Sequence, residues 1–316
     1  MASIQSLPLE LVGYIFSWLP RSCSDRSSFL SCCKALHQAQ NIQEQFSRLY
    51  MFATKLSNGR QNPFLCFPQA GKLKTLVLLR GREGSTSDNP GTQLLQLLQP
   101  RGTVQGRARV MQVLKDVQEL RVWGFPLHAS SAAVGTAFGL YAQLRTLQID
   151  GRCCDSATFL MAFAALNGKC GLRELDITLN SFGHPSGSLT EQAEAIKALS
   201  NIRSLRALTL RTEFLGTRNN AISSISSLTK LKSLNLDFVD VESEDELGDL
   251  HSIFRNMQRL KFLSMPELLC ESVLAELAGS IETLVDTECK LGSKALDDAL
   301  HDIAWHIHKF PVLKIV

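Results

Sequence analysis

The chain has 316 residues, 45% hydrophobic and 20% charged, a balance that excludes wholesale disorder and collagen-like composition. At roughly 150 residues per domain this length suggests about two domains, enough for a core without disulfide staples. Lys and Arg total 33 against 30 Asp and Glu, and a net +3 spread over this length is too little to make nucleic acid the default partner. The nine cysteines are odd in number, and the vicinal pairs Cys32-Cys33 and Cys153-Cys154 are awkward to bridge, which fits a reducing compartment. The first residues carry no basic run, and no segment approaches the roughly 18 uninterrupted apolar residues of a membrane span, so a cytoplasmic and/or nuclear location is expected.

The first predicted element is a helix between Pro8 and Pro20. Proline suits a first turn because its missing donor has no intrahelical acceptor there. Projected at roughly 100° per residue, Glu10, Gly13 and Ser17 share one narrow sector and leave an apolar arc of about 220°, around twice what a surface helix needs. A second helix, capped by Ser24 or Asp25, carries Phe29, Leu30, Cys33 and Leu36 at three- and four-residue steps and can cover only part of that arc. About 40 residues rarely support an independent core, so residues 1–45 are expected to dock on another surface; the alternative is a terminal cap for the array that follows. Residues 46–72 are expected as a helical linker or N-cap.

From Leu73 the pattern apolar-x-x-apolar-x-apolar recurs almost to the end. Its copies are Leu73-Leu76-Leu78, Val117-Leu120-Val122, Leu144-Leu147-Ile149, Leu172-Leu175-Ile177, Leu205-Leu208-Leu210, Leu231-Leu234-Leu236 and Leu260-Leu263-Met265, with Ile281-Leu284 and Leu313-Val316 as degraded members. Their first positions lie 44, 27, 28, 33, 26, 29, 21 and 32 residues apart. Alternate residues of a strand face opposite ways, so the last two apolar positions enter a core and the residue between them faces out. One such strand cannot bury its own face, whereas stacked copies share a continuous core.

The returning segments are expected as helices. Stretches 129–143 and 158–166 are long and apolar enough, and Ser188 to Glu191 and Ser243 to Glu246 have the form of capping boxes. After those boxes, Ala193, Ile196 and Leu199, and then Leu247, Leu250, Ile253 and Phe254, fall on one helical face. The Gly-, Ser- and Thr-rich stretch 80–109 is expected as an insertion between the first two strands. The fold class predicted is therefore α/β: an N-terminal helical module (1–45), then a solenoid over 73–316 of about eight or nine irregular repeats, with parallel strands inside and helices outside.

The array resembles leucine-rich repeat proteins with helical outer faces. It departs in detail, since only Asn180 and Cys289 supply the Asn or Cys that this family often carries eight residues after the first leucine. The segments Leu7-Pro8-Leu9-Glu10-Leu11, Ile15-Phe16-Ser17-Trp18-Leu19-Pro20, Asp25-Arg26 and Phe29 to Leu36 closely resemble an F-box, departing in the polar link Arg21-Ser22-Cys23-Ser24. Together the two modules resemble an F-box/leucine-rich repeat protein. That resemblance implies the substrate-recognition subunit of an SCF-type, cullin-RING E3 ubiquitin ligase. Its F-box would bind a Skp-type adaptor and, through it, a cullin scaffold, while its repeats would hold the protein to be ubiquitylated. Carried over by position, Leu7, Pro8, Leu11, Ile15, Phe16, Leu19, Leu30 and Cys33 would face the adaptor or support its docking. The alternative is a leucine-rich repeat interaction scaffold without a ligase role.

Two surfaces of the array are candidate sites. The third, fifth and seventh positions of each copy face away from the buried leucines, and from them Glu119, Arg121, Trp123, Asp150, Glu174, Asp176, Arg211, Asp237 and Phe262 are the candidate substrate-binding residues. Acid near an exposed Trp suits a basic peptide; the plain alternative is a solvated strand face. Position two carries Lys74, Gln118, Arg145, Arg173, Arg206, Lys232, Lys261 and Glu282, a column that could grip an acidic or phosphorylated segment or simply solvate an edge by pairing with Glu119 and Glu174.

Catalytic signals are sparse. Gly81 to Thr86 lacks the lysine and spacing of a phosphate-binding loop, and no Cys-x-x-Cys pair offers zinc or redox chemistry. At helical spacing, Asp297 and His301 share a face that His306 and His308 cannot both join. No metal, cofactor or catalytic residue is expected, and the chain is expected to be a non-catalytic receptor with protein partners rather than nucleic acid or membrane.

Overall fold

The structure, a computed structural model, describes residues 48–52, 73–79, 112, 114–127, 138–153, 171–180, 194, 196–212, 222–236, 254–265, 280–286 and 314–315. Within them the recurring apolar pattern becomes one ten-stranded sheet. Its strands are β1 (Arg48–Phe52), β2 (Thr75–Leu79), β3 (Glu119–Leu127), β4 (Thr146–Cys153), β5 (Glu174–Asn180), β6 (Ala207–Thr212), β7 (Ser233–Leu236), β8 (Phe262–Met265), β9 (Thr283–Asp286) and β10 (Lys314–Ile315). Spatial order follows chain order, and every neighbouring pair is parallel. Parallel neighbours require the chain to return to the starting edge between strands, which is why each copy needs a connection of a dozen residues or more.

Register places like positions of successive copies side by side. Thr75, Glu119, Thr146, Glu174, Ala207, Ser233, Phe262 and Thr283 form one row across the sheet. The fourth positions Leu76, Leu120, Leu147, Leu175, Leu208, Leu234, Leu263 and Leu284 form the next row, and all are buried. Along β7 the residues alternate part-buried and buried, as a strand with only one face in the core should.

The buried set extends further back along the chain than the six-residue pattern indicates. Among the described residues, another buried apolar residue stands three residues before five of the first positions: Leu114, Tyr141, Ile202, Leu228 and Met257. Each gives its carbonyl to the amide of the first position, from Leu228 O to Leu231 N at 2.9 Å to Tyr141 O to Leu144 N at 3.2 Å. Three residues earlier again, Phe138, Leu199, Ile225 and Phe254 are buried, and the first three repeat the same bond to Tyr141, Ile202 and Leu228. In the copies that begin at Leu144, Leu205, Leu231 and Leu260 this makes a staircase of five apolar steps that ends on the strand. Side chains bolt successive copies together: Ser204 Oγ donates to Leu172 O at 2.5 Å, and Ser280 Oγ to Leu260 O at 2.9 Å. Gly171, just before Leu172, has φ +60°, a left-handed conformation that costs other residues roughly 1–2 kcal/mol.

Three expectations need correction. The first concerns 46–72, expected as helical: Arg48–Phe52 is a strand, paired residue for residue with Thr75–Leu79. Phe46, Leu49 and Met51 carry the apolar spacing of a repeat 27 residues before Leu73, a signal present in the sequence. The second is the last copy. Lys314 lies opposite Thr283 and Ile315 opposite Leu284, so the copy starts at Val312 rather than Leu313. A one-residue slip would turn every side chain to the wrong face, and register follows the face that must be buried. Third, the helix expected over 129–143 has turn or irregular backbone from Gly139 onward, because Tyr141 and Leu144 descend as staircase steps.

Among the described residues of the returning segments, 196–199 and 254–256 are helical, and Ile222–Ser227 forms a 3-10 helix with Ile225 buried. Ile196 and Leu199 are both buried, on the helical face expected for them. The F-box-like segment 1–45, with Leu7, Pro8, Leu11, Ile15, Phe16, Leu19, Leu30 and Cys33, lies outside the described residues. So do Asp237, the insertion 80–109 and the C-terminal His residues.

Candidate functional site

Opposite the leucine rows the sheet presents a front face made of third, fifth and seventh positions. Towards either side it is closed at some points: Val77 on β2 and Ser264 on β8 are each only 2% exposed. Its middle is open, with Asp150, Glu174 and Arg211 exposed. Strand pairing therefore gathers seven of the candidate substrate-binding residues on four consecutive strands: Glu119, Arg121 and Trp123 on β3, Asp150 on β4, Glu174 and Asp176 on β5, and Arg211 on β6. Three strand spacings make this window about 14 Å wide. Phe262 is half-buried on β8, two strands beyond Arg211, and Asp237 lies outside the described residues.

Charge in the window is partly neutralised from within. Glu119 and Arg121 are neighbours on the same face of one strand and form an ion pair, with Arg121 Nε donating to Glu119 Oε1 at 2.6 Å. The other carboxylate oxygen, Oε2, accepts from Thr75 Oγ1 at 2.9 Å. Glu174 Oε2 accepts from Thr146 Oγ1 at 3.1 Å, and Asp176 Oδ2 accepts from the Gln148 side-chain amide at 3.1 Å. Four carboxylates against two guanidiniums leave the window with two net negative charges.

Asp176 carries the least comfortable charge. Burial raises its pKa above the ordinary 3.8; Arg211, the Gln148 hydrogen bond and Arg121 pull it back down, while Asp150 pushes it up. Trp123 lies directly opposite Asp150 in the β3–β4 register, so an indole face and two neighbouring carboxylates share one end of the window. That arrangement suits a cationic side chain, which would relieve the Asp150–Asp176 repulsion and lie against an aromatic ring. Thr75, Thr146 and Gln148 fix the carboxylates, yet residue type alone does not mark them. The available signal was their place at third and fifth positions of the same copies.

A second surface runs along the start of the strands. Position-two residues stack directly, because each backbone carbonyl accepts the amides of positions two and three in the next copy. Arg145 O takes Arg173 N at 2.7 Å and Glu174 N at 2.9 Å, Arg173 O takes Arg206 N at 2.6 Å, and Arg206 O takes Lys232 N at 2.7 Å. Lys74, Arg145, Arg173, Arg206, Lys232, Lys261 and Glu282 are all exposed. Lys261 and Glu282 form an ion pair. The expected edge pairing with Glu119 and Glu174 is absent among the described contacts, since those carboxylates turn to Arg121, Thr75 and Thr146 on the front face.

Among the described residues no helix is long and apolar enough to cross a membrane. No protein-family model matches the chain, and no curated protein matches it.

Proposed function

We propose that the chain is the substrate-recognition subunit of an SCF-type, cullin-RING ubiquitin ligase. Residues 1–45 act as an F-box that docks on a Skp-type adaptor, and the array is a leucine-rich repeat solenoid with helical returns on its outer side. The front window on β3 to β6 holds the protein to be ubiquitylated. The observation that carries this is the uninterrupted parallel ladder from Arg48 to Ile315. It starts three residues after the F-box-like segment ends, and its open face has side chains to spare for a client. In this arrangement the chain supplies no nucleophile. It holds a client by its cationic groups against Asp150, Asp176 and Trp123, and transfer of ubiquitin falls to the ligase partners.

The adaptor contact is tested by Leu7→Ala combined with Pro8→Ala. Truncation of buried interface anchors costs about 2 kcal/mol or more each, so adaptor co-purification should be lost while circular dichroism stays unchanged. Undiminished co-purification of the folded double variant would falsify the F-box assignment. Ubiquitin transfer to a client bound at the window then separates a ligase receptor from a passive scaffold.

A further inference from the structure

We infer that the cationic column at the start of the strands is a docking ridge for an extended acidic segment of a partner protein, held by Arg145, Arg173, Arg206 and Lys232. This rests on the client-holding role proposed above and adds the chemistry of a second contact. The four residues immediately precede the consecutive strands β4 to β7, and their backbones are locked to one another by the doubled carbonyl acceptors. Their spacing is therefore fixed at one strand separation, about 4.8 Å, and the four span about 14 Å. All four are exposed, and among the described residues none has a carboxylate partner.

The column itself shows that pairing between neighbouring copies is possible. One step beyond Lys232, where position two switches from Lys261 to Glu282, an ion pair forms. The stretch from Arg145 to Lys232 differs in that its own column supplies no acid. The closest carboxylates along the strands, Glu119 and Glu174, are engaged on the front face by Arg121, Thr75 and Thr146. Four like charges at fixed spacing repel one another, and an anionic chain laid across them removes that repulsion while gaining forked hydrogen bonds from three guanidiniums.

The surroundings favour a narrow occupant. Exposed Glu174 follows Arg173 directly in the chain, and the front face beyond it is net negative. A membrane surface or a nucleic acid duplex is wider than the ridge and would press its own negative charge against those carboxylates within a Debye length of about 8–10 Å. An extended peptide can stay on the ridge. At about 3.4 Å per residue, four or five acidic residues span it.

The test uses the full-length chain without adaptor, so failure here leaves the adaptor experiment standing on its own. A fluorescein-labelled short polyglutamate peptide is titrated by fluorescence polarisation at low and physiological salt. Arg145→Ala/Arg173→Ala/Arg206→Ala should weaken binding by about tenfold, the sum of three modest surface pairs. The corresponding triple Lys variant, which keeps the charges and loses the forks, should bind between wild type and triple Ala, and Glu174→Gln should tighten binding. The inference is overturned if wild type does not bind the peptide, or if the folded triple-Ala variant binds it unchanged. It is equally overturned if oligothymidylate or phosphatidylserine vesicles are held more tightly than the peptide through the same residues.

Discussion

Leu208 and Thr209 are neighbours on β6 with opposite fates, and truncating each in turn tests the staircase directly. Leu208 is fully buried, flanked in register by Leu175 on β5 and Leu234 on β7. Leu208→Ala deletes three carbons, a transfer loss of about 2.4 kcal/mol at roughly 0.8 kcal/mol per methylene. Its flanking leucines sit on strands held by backbone hydrogen bonds and cannot close the gap, so a cavity contribution brings the total to about 3–5 kcal/mol. Thr209 is half-buried on the front face between Asp176 and Asn235, and Thr209→Ala should cost under about 1 kcal/mol. Urea unfolding followed by circular dichroism gives both values. Hydrogen exchange should show the Leu208→Ala loss concentrated on β5 to β7, because stacked repeats depend mainly on their nearest neighbours. Equal effects at the two positions, or a Leu208→Ala loss below about 1 kcal/mol, would refute the assignment of faces.

Other outcomes follow from single groups. Tyr141 is fully buried and its hydroxyl has no hydrogen-bond partner among the described residues, with burial pushing its pKa far above the ordinary 10.0. Tyr141→Phe should therefore leave stability unchanged or raise it by up to about 1 kcal/mol in thermal unfolding, and a loss beyond about 1 kcal/mol would reveal a partner for the hydroxyl. Asp176 has a raised folded-state pKa, so the stability it contributes is full below 3.8, where it is protonated in both states, and fades as pH rises through the raised value. Asp176→Asn should thus be more stable than wild type near neutrality, with the advantage shrinking as the solution is acidified; a variant less stable at neutral pH would contradict the direction. The same protonation should weaken binding of a cationic client peptide at the window as pH falls through that value, measurable by polarisation, and Asp176→Asn should flatten this dependence.

The copies from Leu73 to Ile281 were legible because burial of one strand face imposes apolar residues at fixed steps, and that periodicity is written in the chain itself. The same logic extends to Phe46-Leu49-Met51, whose spacing belongs to β1, and to the buried apolar residues three and six positions before the first position of several copies. They were harder to see because the descending turns use large residues of mixed type, Phe138, Tyr141 and Met257 among them, rather than leucine alone. The final strand was misplaced by one residue because Val312-Leu313-Lys314-Ile315-Val316 offers apolar residues at both phases, and only pairing of Ile315 with Leu284 chooses between them.

The sequence by itself determined which residues face the core and which project from the front, since alternation along a strand is a local property of the backbone. Only the tertiary structure decided the partners of the projecting charges. Glu119 and Glu174 stand beside the cationic column in the chain, yet Thr75 and Thr146 claim them from neighbouring strands. Hydrogen bonds and ion pairs depend on distances between strands tens of residues apart in the chain, and those distances exist only once the strands have stacked.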